Sequence, residues 1–159
     1  AITLLDTYCQ ATGRELISND LLAQALEETR WPGRLEIVSR DPLLILDGAH
    51  NPHAMLRLIE FANSLAGKRV KILFGALKRK DYSGMLETLQ TGLPEAELIL
   101  TTFHYGEVVA QGDRQDLPYV ADYKAYIKEF MDQSRPDEVL FVTGSLYFIA
   151  EVRAFLLEG

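Results

Sequence analysis

Cysteine is almost absent from this 159-residue chain, where Cys9 stands alone. One cysteine excludes an intrachain disulfide and a cysteine-rich zinc site, and it fits a reducing compartment. Long apolar runs are also missing, and none approaches the roughly 20 residues of a membrane span. The first residues, Ala1-Ile2-Thr3-Leu4-Leu5-Asp6, lack the basic start of a signal peptide. The expected location is therefore cytoplasmic, with no membrane partner. Positive charge is not in excess: the net charge of −7 argues against nucleic acid as the main partner. It leaves room for a phosphate or carboxylate ligand, which a few local donors can hold. Three nucleotide and nucleophile motifs are absent. No G-x-x-x-x-G-K-[ST] loop grips a triphosphate, no G-x-G-x-x-G marks a dinucleotide, and no G-x-S-x-G elbow presents a serine. Internal repeats and low-complexity stretches are missing too.

What is there suits a globular domain. The hydrophobic share is 48% and the charged share 25%, the ordinary balance for a chain with a core. A chain of this length buries roughly two-thirds of its unfolded surface without staples. Two short helices are expected first. Thr3 to Ala11 carries Leu4, Leu5 and Tyr8 on one side and ends at Gly13. Ser18 to Thr29 has capping residues at Ser18, Asn19 or Asp20 and a stripe of Leu21, Leu22, Ala25 and Leu26. Trp31-Pro32-Gly33 breaks the helical pattern and marks the expected boundary, with residues 1–30 too small for a core of their own.

From Arg34 onward, strands alternate with helices. Arg34 to Arg40 and Leu43 to Asp47 form a hairpin through Asp41-Pro42. The helix over 52–66 carries Met55, Leu56, Ile59, Phe61, Ala62 and Leu65. Then come a strand over 69–75, a helix over 82–89, a strand over 97–103, a helix over 119–133, a strand over 138–143 and a helix over 146–157. The stretch 104–118 is a long loop or holds a short strand at Val108-Val109. This order predicts an α/β, Rossmann-like fold. Its sheet is mainly parallel, with one antiparallel edge strand and helices on both faces.

The βα turns of such a sheet gather at one edge, where open α/β sheets bind ligands. They carry Asp47-Gly48-Ala49-His50-Asn51, Gly75 to Asp81 with Lys78-Arg79-Lys80, Thr101-Thr102-Phe103-His104, and Thr143-Gly144-Ser145-Leu146-Tyr147. An acid, an imidazole, three cations and hydroxyls at a helix start suit phosphate or carboxylate binding. Each has a plainer reading. Asp47 holds its turn, His50 is a satisfied loop histidine, and Lys78-Arg79-Lys80 is a solvated basic face. On the same reading Ser145 is an N-cap, and Arg34 pairs with a surface carboxylate. His53 and His104 have only their position to recommend them.

Four motifs in register carry a resemblance. Trp31-Pro32-Gly33-Arg34, Leu46-Asp47-Gly48-Ala49-His50-Asn51-Pro52, Phe74-Gly75 with Lys80-Asp81, and Thr143-Gly144-Ser145-Leu146-Tyr147 occur in this order. Together they resemble the carboxyl-terminal domain of folylpolyglutamate synthase and its dihydrofolate synthase relatives, in the Mur ligase superfamily. The resemblance covers residues 31–159, and residues 1–30 look like the final helices of the preceding ATPase domain. It implies an ATP-dependent amide ligase that joins glutamate to folate through an acyl phosphate. It also implies roles residue by residue. Arg34 reaches the terminal phosphate, Asp47 lies with the nucleotide ribose, and His50 lies beside the reacting phosphate and carboxylates. Lys80, Ser145 and Tyr147 hold glutamate. Arg79 departs from the family pattern, where an acid is common. The P-loop and the Mg2+ ligands belong, on this resemblance, to the amino-terminal ATPase domain, so this chain is expected to supply half of a site and to be inactive alone. Two readings compete: a stand-alone module that binds a nucleotide or acidic metabolite without chemistry, and an oxidoreductase-like nucleotide domain, which the missing glycine fingerprint disfavours.

Overall fold

The structure, a computed structural model, describes residues 2–28 and 31–158. They fall into two units that divide between Trp31 and Pro32. The first holds α1 (Ile2–Thr12) and α2 (Asn19–Glu28). Ser18 caps α2, its hydroxyl accepting the Leu21 N–H at 3.3 Å. Of the expected apolar stripes, Leu4, Tyr8, Leu21 and Ala25 are exposed, Leu5 and Leu22 are half-buried, and the side chain of Leu26 lies outside the described residues. Cys9 is buried. Two short helices cannot enclose a core, and these leave most of their apolar side chains in solvent.

The second unit is an α/β layer structure. In chain order it holds β1 (Glu36–Arg40), β2 (Leu43–Leu46), α3 (Pro52–Ser64), β3 (Arg69–Phe74), α4 (Tyr82–Gly92), β4 (Glu97–Thr101), β5 (Tyr119–Val120), α5 (Tyr123–Gln133), β6 (Glu138–Thr143) and α6 (Leu146–Glu158). The sheet order is β1-β2-β6-β3-β4-β5. Every neighbouring pair is parallel except β1 with β2, so the single antiparallel strand lies at an edge. All six residues of the central β6 are buried, as expected for a strand covered on both faces.

Alternation along the strands builds two cores. Ile45, Ile72, Phe74, Val139 and Phe141 pack with Met55, Leu58, Ile59, Met85 and Leu86 of α3 and α4. Leu44, Leu46, Leu73, Leu140 and Val142 pack with Ile127 of α5 and with Phe148, Ile149 and Val152 of α6. Phe148 is fully buried; it stacks on Phe103 at 5.2 Å and meets Tyr123 edge-on at 5.3 Å. In α3 the buried row is Met55, Leu58, Ile59 and Ala62, so Leu58 takes the core place expected for Leu56, which is exposed.

The main departure from expectation lies at β5. Residues 119–133 are not one helix. Tyr119 and Val120 pair with Leu100 and Thr101 as β5, and α5 begins only after Asp122, whose carboxylate accepts the Ala125 N–H at 3.0 Å. Thr101 adds a side-chain bond, its Oγ1 donating to the Val120 carbonyl at 2.7 Å. A two-residue strand has no periodicity to read, and its aromatic residue continued the apparent helical stripe. Val108 forms only an isolated antiparallel bridge with Leu77.

The turns after the parallel strands are laced together. The Gly75 N–H donates to the Thr143 carbonyl at 3.0 Å, and the Gly144 N–H donates to the Ala49 carbonyl at 3.1 Å. This spacing requires glycine at position 144. Its φ is +111°, and a Cβ there would sit 2.6 Å from the Gly75 carbonyl oxygen. Forcing a side chain into such a conformation costs roughly 1–3 kcal/mol before the clash is counted. Gly144→Ala is therefore expected to lower unfolding free energy by at least about 2 kcal/mol in urea titration. A loss below about 0.5 kcal/mol, the range of a neutral surface change, would contradict this packing.

Candidate active site at the carboxyl edge of the sheet

The edge where β2, β3, β4 and β6 end is organised around Asp47. The residue is 7% exposed, and both carboxylate oxygens accept backbone bonds. The Leu35 N–H donates to Oδ2 at 2.9 Å, and the Ala49 N–H donates to Oδ1 at 2.9 Å. Burial pushes the Asp47 carboxyl above its ordinary value. The two backbone bonds and the charges of Arg34 and His50 oppose that shift.

The bond to Leu35 has a structural consequence. Leu35 sits at φ +44°, a left-handed conformation rare for a bulky side chain. A second bond helps to hold it there: the Gly48 N–H donates to the Gly33 carbonyl at 2.6 Å. Gly33 itself turns at φ +72°, and its N–H donates to Glu36 at 2.7 Å. Arg153 of α6 grips the same Glu36 carboxylate at 3.1 Å. The segment carrying Arg34 is thus folded over the end of β2. The Arg34 side chain is exposed and makes no ion pair among the described residues.

His50 is half-buried on the same loop. Its Nδ1 lies 2.8 Å from the Gly48 carbonyl. A carbonyl only accepts, so Nδ1 carries the proton and Nε2 is left for a ligand. Asn51 then caps α3, accepting the Ala54 N–H at 2.8 Å, with Pro52 in the first turn.

A second group lies on the β3–α4 and β6–α6 turns. The basic triplet does not act as one cluster. Lys78 is bound to Asp113, with Nζ 2.8 and 2.9 Å from the two carboxylate oxygens, whereas Arg79 and Lys80 are exposed without an ion pair among the described residues. The Asp113 partner raises the Lys78 pKa, and Lys78 holds that of Asp113 below the usual carboxylate range. Thr143 and Ser145 are buried, which removes two hydroxyls from the surface expected to display them. Ser145 acts as a cap: its Oγ accepts the Tyr147 N–H at 3.3 Å, and its carbonyl accepts the Ile149 N–H at 3.0 Å. Tyr147 is exposed, and its ring stacks on Tyr105 at 3.7 Å and 15°.

His104 has a partner that the sequence did not suggest. Glu151 of α6 accepts its backbone N–H at 3.0 Å, meets its Nδ1 at 3.0 Å, and accepts the Tyr123 hydroxyl at 2.8 Å. Burial pushes the Glu151 carboxyl up, but these bonds outweigh burial and leave it below its usual value. Burial and the Glu151 bond raise the Tyr123 phenol. The available signal was an acid four residues after Tyr147 in a mostly apolar helix. His53, the third histidine, lies in the first turn of α3. Among the described residues, no three His, Cys, Asp or Glu side chains gather to hold a metal ion, and no helix is long and apolar enough to cross a membrane.

These features define a class: a doubly wound α/β domain whose ligand edge offers exposed cations, an imidazole and helix N-termini to an anionic ligand. The chain belongs to the family described as Mur ligase, glutamate ligase domain, whose model matches residues 33–146. It is 32% identical over 148 residues to the dihydrofolate synthase/folylpolyglutamate synthase of Bacillus subtilis, covering 86% of this chain and 33% of that protein. It is 30% identical over 169 residues to the folylpolyglutamate synthase of Lacticaseibacillus casei, covering 100% of this chain and 37% of that one. Among solved structures, it matches the bifunctional folylpolyglutamate synthase/dihydrofolate synthase of Yersinia pestis complexed with AMPPNP and Mn ion. The TM-score is 0.77 at 28% identity, over 89% of this chain and 35% of that one. The chain therefore spans about a third of the length of these relatives.

The two loop residues Asp47 and His50 differ in what they do for the fold. Asp47→Ala strands one buried and one part-buried backbone N–H group, and a buried loss of this kind costs about 1–3 kcal/mol. His50→Ala removes one half-buried bond to a carbonyl, worth about 1 kcal/mol. Urea denaturation is expected to show Asp47→Ala destabilised by about 2–4 kcal/mol and His50→Ala by about 1 kcal/mol or less. Equal losses would show that Asp47 does not organise this edge.

Proposed function

We propose that this chain is the carboxyl-terminal part of a ligase that joins glutamate to a folate carboxylate at the expense of ATP. The observation that carries this reading is the pairing of an anion-ready sheet edge with membership of the glutamate ligase domain family. Relatives and the neighbouring structure carry folate-synthase names and a nucleotide analogue, which supports ATP as the co-substrate here.

The proposed chemistry runs in two steps. A folate carboxylate oxygen attacks the terminal phosphorus of ATP, giving an acyl phosphate and ADP. The glutamate amine then attacks the acyl carbon, the amine gives up a proton, and inorganic phosphate leaves. Both steps crowd negative charge, so fixed donors lower the barrier. Arg34, exposed on the strained turn over β2, supplies guanidinium donors suited to the transferring phosphoryl group. His50, with Nε2 unused, acts beside it: as imidazolium it donates to a phosphoryl oxygen, and as neutral imidazole it accepts the amine proton. Asp47 acts on the nucleotide side and sets the loop on which both depend. Lys80 and Tyr147 face glutamate, and the buried Ser145 serves the same site by capping the turn that carries Tyr147. A divalent metal, Mg2+ on this reading, would neutralise ATP charge. The residues described here offer it no cage, and the rest of the nucleotide site is assigned to an amino-terminal ATPase domain in a longer polypeptide. Folate and glutamate are the small-molecule partners, and the reaction belongs in the cytoplasm.

Rapid-quench measurement in the longer protein tests the assignments. Removing a donor to developing charge costs about 3–4 kcal/mol, so His50→Ala is expected to slow turnover about 100- to 1000-fold. Arg34→Lys is expected to slow acyl-phosphate formation while leaving folding intact. The 159-residue chain by itself should give no glutamate-dependent ADP. An unchanged phosphorylation step with only weaker glutamate binding would move Arg34 to the amino-acid site, and turnover by the chain alone would end the half-site reading.

A further inference from the structure

The stretch that the sequence left as a long loop is attached at both ends to the two turns just assigned to glutamate. At one end, consecutive residues meet α6. His104 binds Glu151 through its backbone N–H and its Nδ1, both at 3.0 Å, and Tyr105 stacks on Tyr147 at 3.7 Å. Tyr147 and Glu151 are four residues apart in α6, hence on one side of the helix. At the other end, the segment is stitched to the β3–α4 turn. The Lys78 N–H donates to the Glu107 carbonyl at 2.9 Å, and the Val109 N–H donates to the Ala76 carbonyl at 2.8 Å. Val108 bridges Leu77 in antiparallel sense, and Lys78 Nζ binds Asp113. Asp113 is itself fixed by the Ala110 N–H at 2.8 Å.

Part of the segment serves the cores, since Val109 is buried in one and Val108 packs against the other, but Tyr105, Glu107 and Lys78 are surface residues. The contacts of these surface residues tie two turns together. Lys80 lies two residues beyond Lys78 on one turn, and Tyr147 starts α6 on the other. At their base, the two turns meet through the Gly75 N–H bond to the Thr143 carbonyl. The side chains that would hold a small dicarboxylate stand out from that base, where long exposed side chains otherwise sample many rotamers. A cation and a phenol already held at a spacing that one conformer of glutamate bridges bind it without paying that ordering cost.

We propose that segment 104–113 is a strap that sets the spacing between Tyr147 and Lys80, and that Tyr105 and Asp113 are its positioning residues. The strap rests on the glutamate-site assignment above for its function, but not for its mechanics. Tyr105 holds the Tyr147 ring from the α6 side, and Asp113 holds the lysine-bearing turn from the other. Neither needs to touch a substrate.

Two measurements test this separately. In the longer protein, steady-state constants are taken for glutamate and for ATP. Loss of an aromatic pair corresponds to about a two- to tenfold change, so Tyr105→Ala is expected to raise the glutamate KM by that factor. The ATP KM should stay within about twofold, and Tyr105→Phe, which keeps the stack, should restore the glutamate KM toward the parent. Asp113→Asn should act in the same direction. The double variant should cost less than the product of the singles, because both break one strap. An unchanged glutamate KM, or an equal rise for ATP, overturns the positioning role. In the 159-residue chain, amide hydrogen exchange reads the mechanics without any substrate. Tyr105→Ala is expected to speed exchange at the Lys78 and Val109 N–H groups, at the far end of the strap. Acceleration confined to 104–106 overturns the strap. If exchange couples the two ends but the longer protein does not use glutamate, the strap stands and the ligase reading falls.

Discussion

The carboxyl edge of this domain depends on one carboxylate. Asp47 is buried where ionisation is costly, and two backbone N–H groups replace the water it gives up. That exchange does more than satisfy a side chain. The bond to Leu35 draws the turn before β1 across the end of β2, holds a leucine in a left-handed conformation, and places Arg34 on the same edge as His50. The bond to Ala49 shapes the loop that presents His50 and starts α3 at Asn51. From there the lacing continues, since the Ala49 carbonyl accepts the Gly144 N–H and the Thr143 carbonyl accepts the Gly75 N–H. Four turns that belong to different parts of the sequence become one surface.

That surface carries local positive charge on a chain of net charge −7. The contrast is physical rather than paradoxical, because anion binding depends on nearby donors and not on the total. Arg34, Arg79 and Lys80 are exposed and unpaired among the described residues, while Lys78 spends its charge on Asp113. Arg69 pairs with Asp137 and Glu138, and Lys71 pairs with Glu97 and Glu138, all at the opposite end of β3. Arg34, Arg79 and Lys80 lie at the end where helix N-termini also point, so dipole and charge act in the same direction.

The order of strands and helices could be read from the chain because hydrophobic period and turn residues agreed. Leu43–Leu46 ends in a glycine-containing loop, Asn51-Pro52 opens a helix, and Glu138–Thr143 is apolar between its first and last residues. Such agreement across levels is what makes a fold legible. The edge pairing at Tyr119–Val120 was not legible, because two residues carry no period and the pairing is decided by Thr101 and the Asp122 cap. At the site, sequence and family resemblance pointed to Asp47, His50, Lys80 and Tyr147. The plainer reading of Asp47, that it holds its turn, matches its two backbone bonds, but the long-range contacts around the site have no signature in the sequence. Glu151 meets His104 across 47 positions, and Asp113 meets Lys78 across 35. Long-range polar pairs of this kind leave no local pattern. The strain at Leu35 is equally silent, since its cause lies twelve residues away in Asp47.

On the proposed function, a carboxylate is activated as an acyl phosphate, a mixed anhydride, at this edge before the amide bond forms. Oxygen-18 in the reacting carboxylate of the folate tests it directly, because formation and breakdown of an acyl phosphate must carry one carboxylate oxygen away with phosphate. With the longer protein, ATP, glutamate and labelled folate, mass spectrometry of the released phosphate is predicted to show one oxygen-18 atom for each amide bond formed. Phosphate free of label, with product still accumulating, would contradict the acyl-phosphate route and the roles assigned to Arg34 and His50 within it.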